Sequence, residues 1–226
     1  MKETNLHFIG DSNVSVFGGL SKRWIAPLWP QRVQSLYRPN WWCYHVGPHL
    51  AVNFGKHGTP VVREVVKTYF NSVKDFLCLV WGEIDCRMWI VKRAYKRAQR
   101  NGLQQEIEIE ARLCGATYLR DIDTIVTDIP LTYQHILVIG PHPSPPWPIG
   151  NRYPSFGTEP ERNLATRILN DELKKGMSVR GGRFITLFDR LMPIGGYTDY
   201  YQDVVHLSSL KALPLFIEEF KVVGVT

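Results

Sequence analysis

Short apolar runs alternate along the chain with longer stretches in which apolar residues recur every three or four positions. The short runs predict buried strands at Leu6–Ile9, Cys43–Val46, Phe76–Trp81, His135–Ile139 and Phe184–Phe188. The longer stretches predict helices at Val61–Val73, Glu106–Ile129, Pro160–Lys175 and within Ser208–Val222. Strands that alternate with helices imply a parallel sheet covered by helices on both faces. We therefore predict an α/β protein, a three-layer α/β/α sandwich around about five parallel strands.

Glycine and proline residues suggest where these elements end. Gly176 is a candidate end for the third predicted helix, and Pro214 either kinks the last helix or begins a shorter one. Glycines closely follow four of the predicted strands, at Gly10, Gly47, Gly82 and Gly140. Because the carboxyl ends of parallel strands meet at one edge of the sheet, we expect a ligand site at that edge. The proline-rich stretch Pro141–Pro160 is too long for a simple connection, and we expect it to form a wall of the site.

The composition is that of an ordinary globular protein. The 226 residues are 44% hydrophobic and 21% charged, which excludes a disordered chain, a collagen-like fibre and a disulfide-stapled miniprotein. A chain of this length can bury one sizeable core, and we expect a single domain over residues 1–226.

The excess of positive charge lies in one segment. The formal net charge is +6, but outside the stretch between Asp85 and Glu106 the chain has 21 basic and 21 acidic residues. The six basic residues of that stretch are Arg87, Lys92, Arg93, Lys96, Arg97 and Arg100. Most of them share one arc of a helical projection, so we predict a basic helical insertion around residues 87–101 with a cationic outer face. That face is either a solvated surface or a means of attracting an anionic substrate, and its small extent argues against nucleic acid as the partner.

The cysteines and the apolar runs exclude several other classes. Cys43, Cys78, Cys86 and Cys114 form no CxxC pair and no Cys/His cluster with zinc spacing, so we expect no metal and no cofactor. No apolar run approaches the roughly 18 residues that a membrane span needs. The residues after Met1 do not resemble a signal peptide, so we expect a cytoplasmic or otherwise soluble protein without a membrane partner. Nothing in the sequence indicates an oligomeric state.

Residues suited to nucleophilic catalysis occur at the two ends of the chain. Gly10-Asp11-Ser12 ends the first predicted strand, which would hold the Ser12 hydroxyl at the ligand edge of the sheet. A serine nucleophile needs a base and an acid that orients the base. Asp203 and His206, three positions apart before the last helix, are suited to these roles. Taken alone, the tripeptide also fits a turn or a helix cap, and Asp203 and His206 also fit a helix-terminal acid and a surface histidine.

In combination these motifs resemble the SGNH hydrolases, also called GDSL-type esterases, from about Asn5 to the final helix. In that family the Gly-Asp-Ser block carries the nucleophile, which corresponds to Ser12, and the Asp-x-x-His block corresponds to Asp203 and His206. The resemblance implies a flavodoxin-like α/β/α topology and hydrolysis of acyl esters through a Ser-His-Asp triad.

Two further blocks of the family bind the oxyanion. A glycine of the second block donates its backbone N–H, and Gly47 is the best match, with Gly55 as the alternative. The third block is usually Gly-x-Asn-Asp, whereas this chain has Gly82-Glu83-Ile84-Asp85. Ile84 cannot donate the hydrogen bond of the asparagine, and the loss of one oxyanion donor typically costs on the order of 10²–10³ in kcat.

The variant third block leaves the oxyanion site open to interpretation. Arg87, Asn53 or the loop backbone could supply the missing donor, and Asp85 and Arg87 are candidate substrate-binding residues. In a structural interpretation, Glu83, Asp85 and Arg87 form an ion-pair network that shapes the loop. A third possibility is that the chain has lost catalysis and binds a glycan or a protein partner.

We predict a serine esterase that hydrolyses a small acyl ester, in particular an O-acetyl group on a carbohydrate. The expected substrate is therefore a small-molecule or glycan ester. Several tryptophans fall in or beside predicted loops and could bind sugar rings or acyl chains, although others are expected in the core. They are Trp29, Trp41, Trp42, Trp89 and Trp147. A thioesterase or lysophospholipase of the same fold is an alternative. A flavodoxin-like nucleotide binder is disfavoured because the chain lacks a glycine-rich phosphate loop.

Overall fold

The computed structural model describes residues 4–19, 28–71, 74–146, 153–192, 197–203 and 205–225. Its strands are β1 (Leu6–Gly10), β2 (Val33–Gln34), β3 (Trp41–His45), β4 (Phe76–Val80), β5 (Ile136–Ile139) and β6 (Arg183–Ile185). They form one sheet in the order β2-β3-β1-β4-β5-β6. All neighbouring pairs are parallel except β2 and β3. The predicted three-layer α/β fold and its five parallel strands are confirmed. Among the strands of the described residues, the sequence patterns missed the two-residue edge strand β2.

The helices in the described part of the chain connect these strands. They are α1 (Ser15–Gly18), α2 (Phe54–Tyr69), α3 (Ile90–Asn101), α4 (Leu103–Asp128), α5 (Glu159–Val179), α6 (Phe188–Leu191) and α7 (Ser209–Val222). The predicted end of α5 at Gly176 is wrong, because the helix passes through this glycine to let α4 approach. A Cβ atom at Gly176 would lie 2.2 Å from Cδ1 of Leu119. Pro214 lies inside α7, so the prediction of a shorter helix that begins at this proline is also wrong.

Successive residues of each strand contribute to two separate cores, one on each face of the sheet. In β1, Ile9 packs in the core under α2, α4 and α5, whereas Phe8 packs in the core under α1, α6 and α7. The second core contains an aromatic cluster in which the ring centroids of Phe8 and Phe17 are 4.1 Å apart. Trp41 belongs to this cluster, so it is a core residue and not a substrate contact, and Trp147 lies outside the described residues. No helix within the described ranges is long and apolar enough to cross a membrane.

The carboxyl ends of the three central strands are held close together. The amide of Asp11 donates to the carbonyl of Val80 at 3.2 Å, and the amide of Val46 donates to the carbonyl of Gly10 at 2.8 Å. Gly10 permits this approach, because a Cβ atom there would lie only 2.1 Å from the Val80 carbonyl oxygen. The residues that follow β1, β3 and β4 therefore converge at one edge of the sheet, as predicted.

The basic segment forms α3, and two of its arginines are paired. Arg93 Nε lies 2.6 Å from a carboxylate oxygen of Glu110 on α4, and Arg97 pairs with the other oxygen. The Glu110 side chain is fully buried. The predicted cationic outer face is thus partly used to neutralise a buried carboxylate, which leaves Lys92 and Lys96 exposed to solvent.

Candidate active site

Ser12 lies at the first position of a 3-10 turn, Ser12–Val14, that directly follows β1 and Asp11. The buried Asp11 caps this turn, because its Oδ1 accepts from the Asn13 amide at 2.8 Å and from Asn13 Nδ2 at 3.0 Å. A turn closed in this way holds the Ser12 hydroxyl at the carboxyl edge of the sheet.

Two hydrogen-bond distances join the three residues predicted as a triad through His206. His206 Nε2 lies 2.7 Å from Ser12 Oγ, and His206 Nδ1 lies 2.8 Å from Asp203 Oδ2. These contacts join residues from the two ends of the chain. The imidazole is therefore placed to accept the serine proton at one nitrogen while the carboxylate holds the proton at the other.

Asp203 is held in its charged form. Its partial burial acts to raise the pKa, but hydrogen bonds from the His206 ring and from the Val205 and His206 amides outweigh burial and lower the pKa to about 2. Both amides donate to Asp203 Oδ1 at 2.8 Å. The carboxylate is thereby oriented with its second oxygen towards His206.

The segment that carries Asp203 and His206 folds back on itself. Gln202 N donates to the His206 carbonyl at 2.9 Å, Ser208 N donates to the Tyr200 carbonyl at 2.6 Å, and Tyr201 forms an antiparallel bridge with Leu207. These bonds define a short hairpin, and the spacing of Asp203 and His206 follows from it.

His142, which follows β5, links this hairpin to the serine turn. Its Nδ1 lies 2.9 Å from the hydroxyl of Tyr201, and its Nε2 lies 3.3 Å from Asn13 Oδ1. His142 Nδ1 also lies 3.1 Å from the Pro143 carbonyl. Burial lowers the pKa of His142, which favours the neutral imidazole. The Tyr201 hydroxyl also contacts the Pro143 carbonyl.

A small cavity of about 30 Å³ adjoins Ser12 and His206, room for one or two water molecules. Asp11, Glu83 and His142 contribute polar walls, and apolar residues of β4, β5 and α7 close the rest. Oδ2 of Asp11 is buried and makes no hydrogen bond with the part of the chain that the structure describes. Burial, with a smaller contribution from the nearby Glu83, raises the pKa of Asp11 to about 7 against the hydrogen bonds from Asn13.

The two candidate glycines of the second block differ in what their amides do. The Gly55 amide, in α2, donates to Asp121 Oδ2 at 2.8 Å. It therefore has no proton left for an oxyanion, and Gly47 remains the better candidate for the oxyanion donor. Gly47 has a φ of +116°, a conformation that favours glycine. A Cβ atom there would lie 3.3 Å from His49 Nε2, so the histidine ring covers this turn.

Asp85 of the variant third block makes structural contacts. Asp85 is fully buried, and it accepts from the Ala51 amide at 2.6 Å and from the Val52 amide at 3.4 Å. Burial raises the pKa of Asp85 to about 6, against these hydrogen bonds. Asp85 therefore shapes the loop that follows β3 and has no surface for a substrate. Asn53 is exposed at the start of α2.

Arg87 pairs with Glu83 and not with Asp85. Its Nε and Nη2 lie 2.7 and 3.3 Å from the two carboxylate oxygens of Glu83, and both side chains are buried. The Arg87 guanidinium also contacts the Pro154 carbonyl. The geometry fits the structural interpretation for Glu83 and Arg87, whereas Asp85 lies outside their ion pair.

Three residues at the site were not predicted from the sequence: Asn13, Tyr153 and Tyr201. The ring centroid of Tyr153 lies 5.4 Å from that of His206, with the two planes 80° apart. Tyr153 and Tyr201 lie in or after irregular segments without apolar periodicity, so only their proximity in the fold identifies them.

No known family model matches the sequence, and no curated protein is detectably similar to it. Solved structures, in contrast, match over nearly the whole chain. A lipase/acylhydrolase from Enterococcus faecalis is 14% identical, with a TM-score of 0.53 over 97% of this chain and 96% of the other. The chain has the fold of the SGNH hydrolases.

Two further structures with this fold are esterases or lipases. A phospholipase A1 from Streptomyces albidoflavus is 13% identical, with a TM-score of 0.51 over 96% of this chain and 99% of the other. A catalytic mutant of an acetylxylan esterase from Geobacillus stearothermophilus is 12% identical, with a TM-score of 0.50 over 100% of this chain and 98% of the other. The resemblance seen in the sequence motifs is thus confirmed at the level of the fold.

Proposed function

We propose that this protein is a serine ester hydrolase with Ser12 as nucleophile, His206 as general base and Asp203 as the residue that orients the base. The observation that carries the proposal is the continuous hydrogen-bond path from Ser12 Oγ through His206 to Asp203. The likeness in fold to known esterases and lipases supports it.

The reaction follows from the geometry of the three side chains. His206 Nε2 takes the proton of Ser12 as its Oγ attacks the ester carbonyl, and Asp203 stabilises the imidazolium. Collapse of the tetrahedral intermediate breaks the bond to the alcohol, which leaves with the proton from His206. Water, activated by the same imidazole, then attacks the acyl-serine and releases the carboxylic acid.

The oxyanion in this proposal is bound by the backbone amides of Ser12 and Gly47. Ile84 offers no third donor, and the Arg87 guanidinium is already paired with Glu83. An enzyme that lacks one donor loses on the order of 10²–10³ in kcat, so we expect slow turnover unless exposed Asn53 supplies the bond.

A small acyl group, such as acetate, suits this site best. The cavity beside Ser12 has about 30 Å³ of space, which suits a group as small as the methyl of acetate. Acetate carried on a carbohydrate is consistent with the likeness in fold to the acetylxylan esterase. The alternative, a thioesterase or lysophospholipase, requires an extended acyl site.

Kinetics with Ser12→Ala test the proposal. We expect the wild-type protein to hydrolyse p-nitrophenyl acetate faster than the octanoate, and Ser12→Ala to lose at least about 10³-fold in kcat/KM. Ser178→Ala, at an exposed position of α5, is the control and should keep most of the activity. Equal turnover by Ser12→Ala and wild type would refute the assignment, and a preference for the octanoate would favour the lipase-like alternative.

A further inference from the structure

The third-block variant Gly82–Arg87 holds a neighbouring segment in place. The buried Glu83–Arg87 pair lies at the start of a π-helical turn, Asp85–Trp89. Arg87 makes two contacts with residues 153–157. Its guanidinium contacts the Pro154 carbonyl, and its own carbonyl accepts from the Phe156 amide at 2.9 Å. We call residues 153–157 the strap.

Other contacts fasten the far end of the strap. The ring of Phe156 packs edge-on against Tyr95 of α3, with centroids 5.1 Å apart. A Cβ atom at Gly157 would lie 2.5 Å from Val91 Cγ1, so the strap lies directly on α3. Arg162 Nη1 also donates to the Gly157 carbonyl at 2.7 Å. The strap is therefore anchored to α3 and α5 on one side of the site.

The near end of the strap carries Tyr153, whose ring meets the His206 imidazole at a centroid distance of 5.4 Å. In the proposed reaction His206 Nε2 delivers its proton to the departing alcohol, so the alcohol must come within about 3 Å of that nitrogen. A ring in contact with the imidazole is consequently close to the point at which the alcohol receives its proton. Tyr153 is partly exposed, so it can also contact a ligand.

We propose that Tyr153 determines which alcohol the enzyme accepts, favouring esters whose alcohol has a flat face, such as a sugar ring or an aryl group. Glu83 and Arg87 are positioning residues, because they act on the alcohol only by holding the strap. This proposal rests on the proposed esterase function and extends it from the acyl group to the leaving group. It also gives the variant third block a role other than binding the oxyanion.

Leaving-group selectivity tests the proposal. Acetates of 4-methylumbelliferone and of ethanol share the acyl group but differ in the alcohol. In Tyr153→Ala we expect kcat/KM for the flat ester to fall about 3- to 10-fold relative to ethyl acetate, the range of an aromatic contact. Tyr153→Phe should restore the wild-type ratio. The partition of the acetyl-enzyme between water and hydroxylamine should stay unchanged, because the alcohol has already left.

Variants of Arg87 test the strap. Arg87→Met should shift the selectivity in the same direction as Tyr153→Ala, whereas Arg87→Lys, which keeps the pairing with Glu83, should shift it less. An unchanged ratio of the two kcat/KM values in Tyr153→Ala, even where both values fall, would overturn the proposal.

A binding measurement separates this proposal from the proposed reaction. In the Ser12→Ala background, free 4-methylumbelliferone should bind about 3- to 10-fold more weakly once Tyr153→Ala is added. If the protein hydrolyses no ester but this difference persists, the esterase assignment fails and the aromatic subsite stands. If the affinity does not change, the subsite proposal fails whether or not the protein is an esterase.

Discussion

Replacing Asp11 with asparagine should stabilise the protein increasingly as the pH rises. The pKa of Asp11 is about 7 in the folded protein, against an ordinary value of 3.8, so the folded state binds the proton more tightly than the unfolded chain. The stability that Asp11 contributes is therefore complete below pH 3.8 and is lost as the pH rises through 7. A difference of about three pH units, at about 1.4 kcal/mol each, corresponds to about 4 kcal/mol.

Asp11→Asn keeps the oxygen that accepts from Asn13 and removes the buried charge. We expect its free energy of unfolding, relative to wild type, to rise by about 2–4 kcal/mol between pH 4 and pH 8. Urea unfolding followed by tryptophan fluorescence at a series of pH values measures this difference. Asp171→Asn, at an exposed position of α5, is the control and should stay within about 0.5 kcal/mol of wild type. A difference between Asp11→Asn and wild type that does not change with pH would contradict the argument.

Three further substitutions test other parts of the site and the fold. Asp203→Asn should lower kcat by about 10²- to 10⁴-fold, because asparagine cannot stabilise the imidazolium; unchanged kcat would exclude the orienting role. Tyr201→Phe should lower kcat about 10-fold without changing KM, because the hairpin loses its hydroxyl contact with His142; a change in KM alone would point to substrate binding instead. Gly10→Ala should destabilise the protein by about 3 kcal/mol or more, because its Cβ atom would lie 2.1 Å from the Val80 carbonyl oxygen; a urea midpoint equal to that of wild type would contradict this packing.

Most of the fold could be predicted from the sequence because the buried strands and the longer helices carry strong apolar patterns. Strand β2 could not, because two residues have no detectable period. The early start of α2 at Phe54 was also missed, since the first turns contain few apolar residues and Pro60 lies among them. The interpretation of Gly176 failed for a different reason. Glycine ends many helices, but here it allows two helices to approach closely.

The candidate triad could be predicted because its residues occur in short motifs with fixed spacing. Their hydrogen bonds agree with the predicted roles in geometry, while the roles themselves remain proposals. The contacts of the side chains around them could not be predicted. His142 and Asn13 are 129 positions apart in the chain, and only the parallel sheet brings them together. The ion-pair partner of Arg87 could not be predicted either, because Glu83 and Asp85 are both close to it in sequence.

The most direct test of the central claim is covalent labelling with a fluorophosphonate, followed by peptide mass mapping. We expect one adduct per chain, located on Ser12, and a labelling rate that falls at least about 10²-fold in His206→Ala, because the hydroxyl then lacks its base. Absence of an adduct, or a labelling rate that does not depend on His206, would contradict the claim that Ser12 is an activated nucleophile.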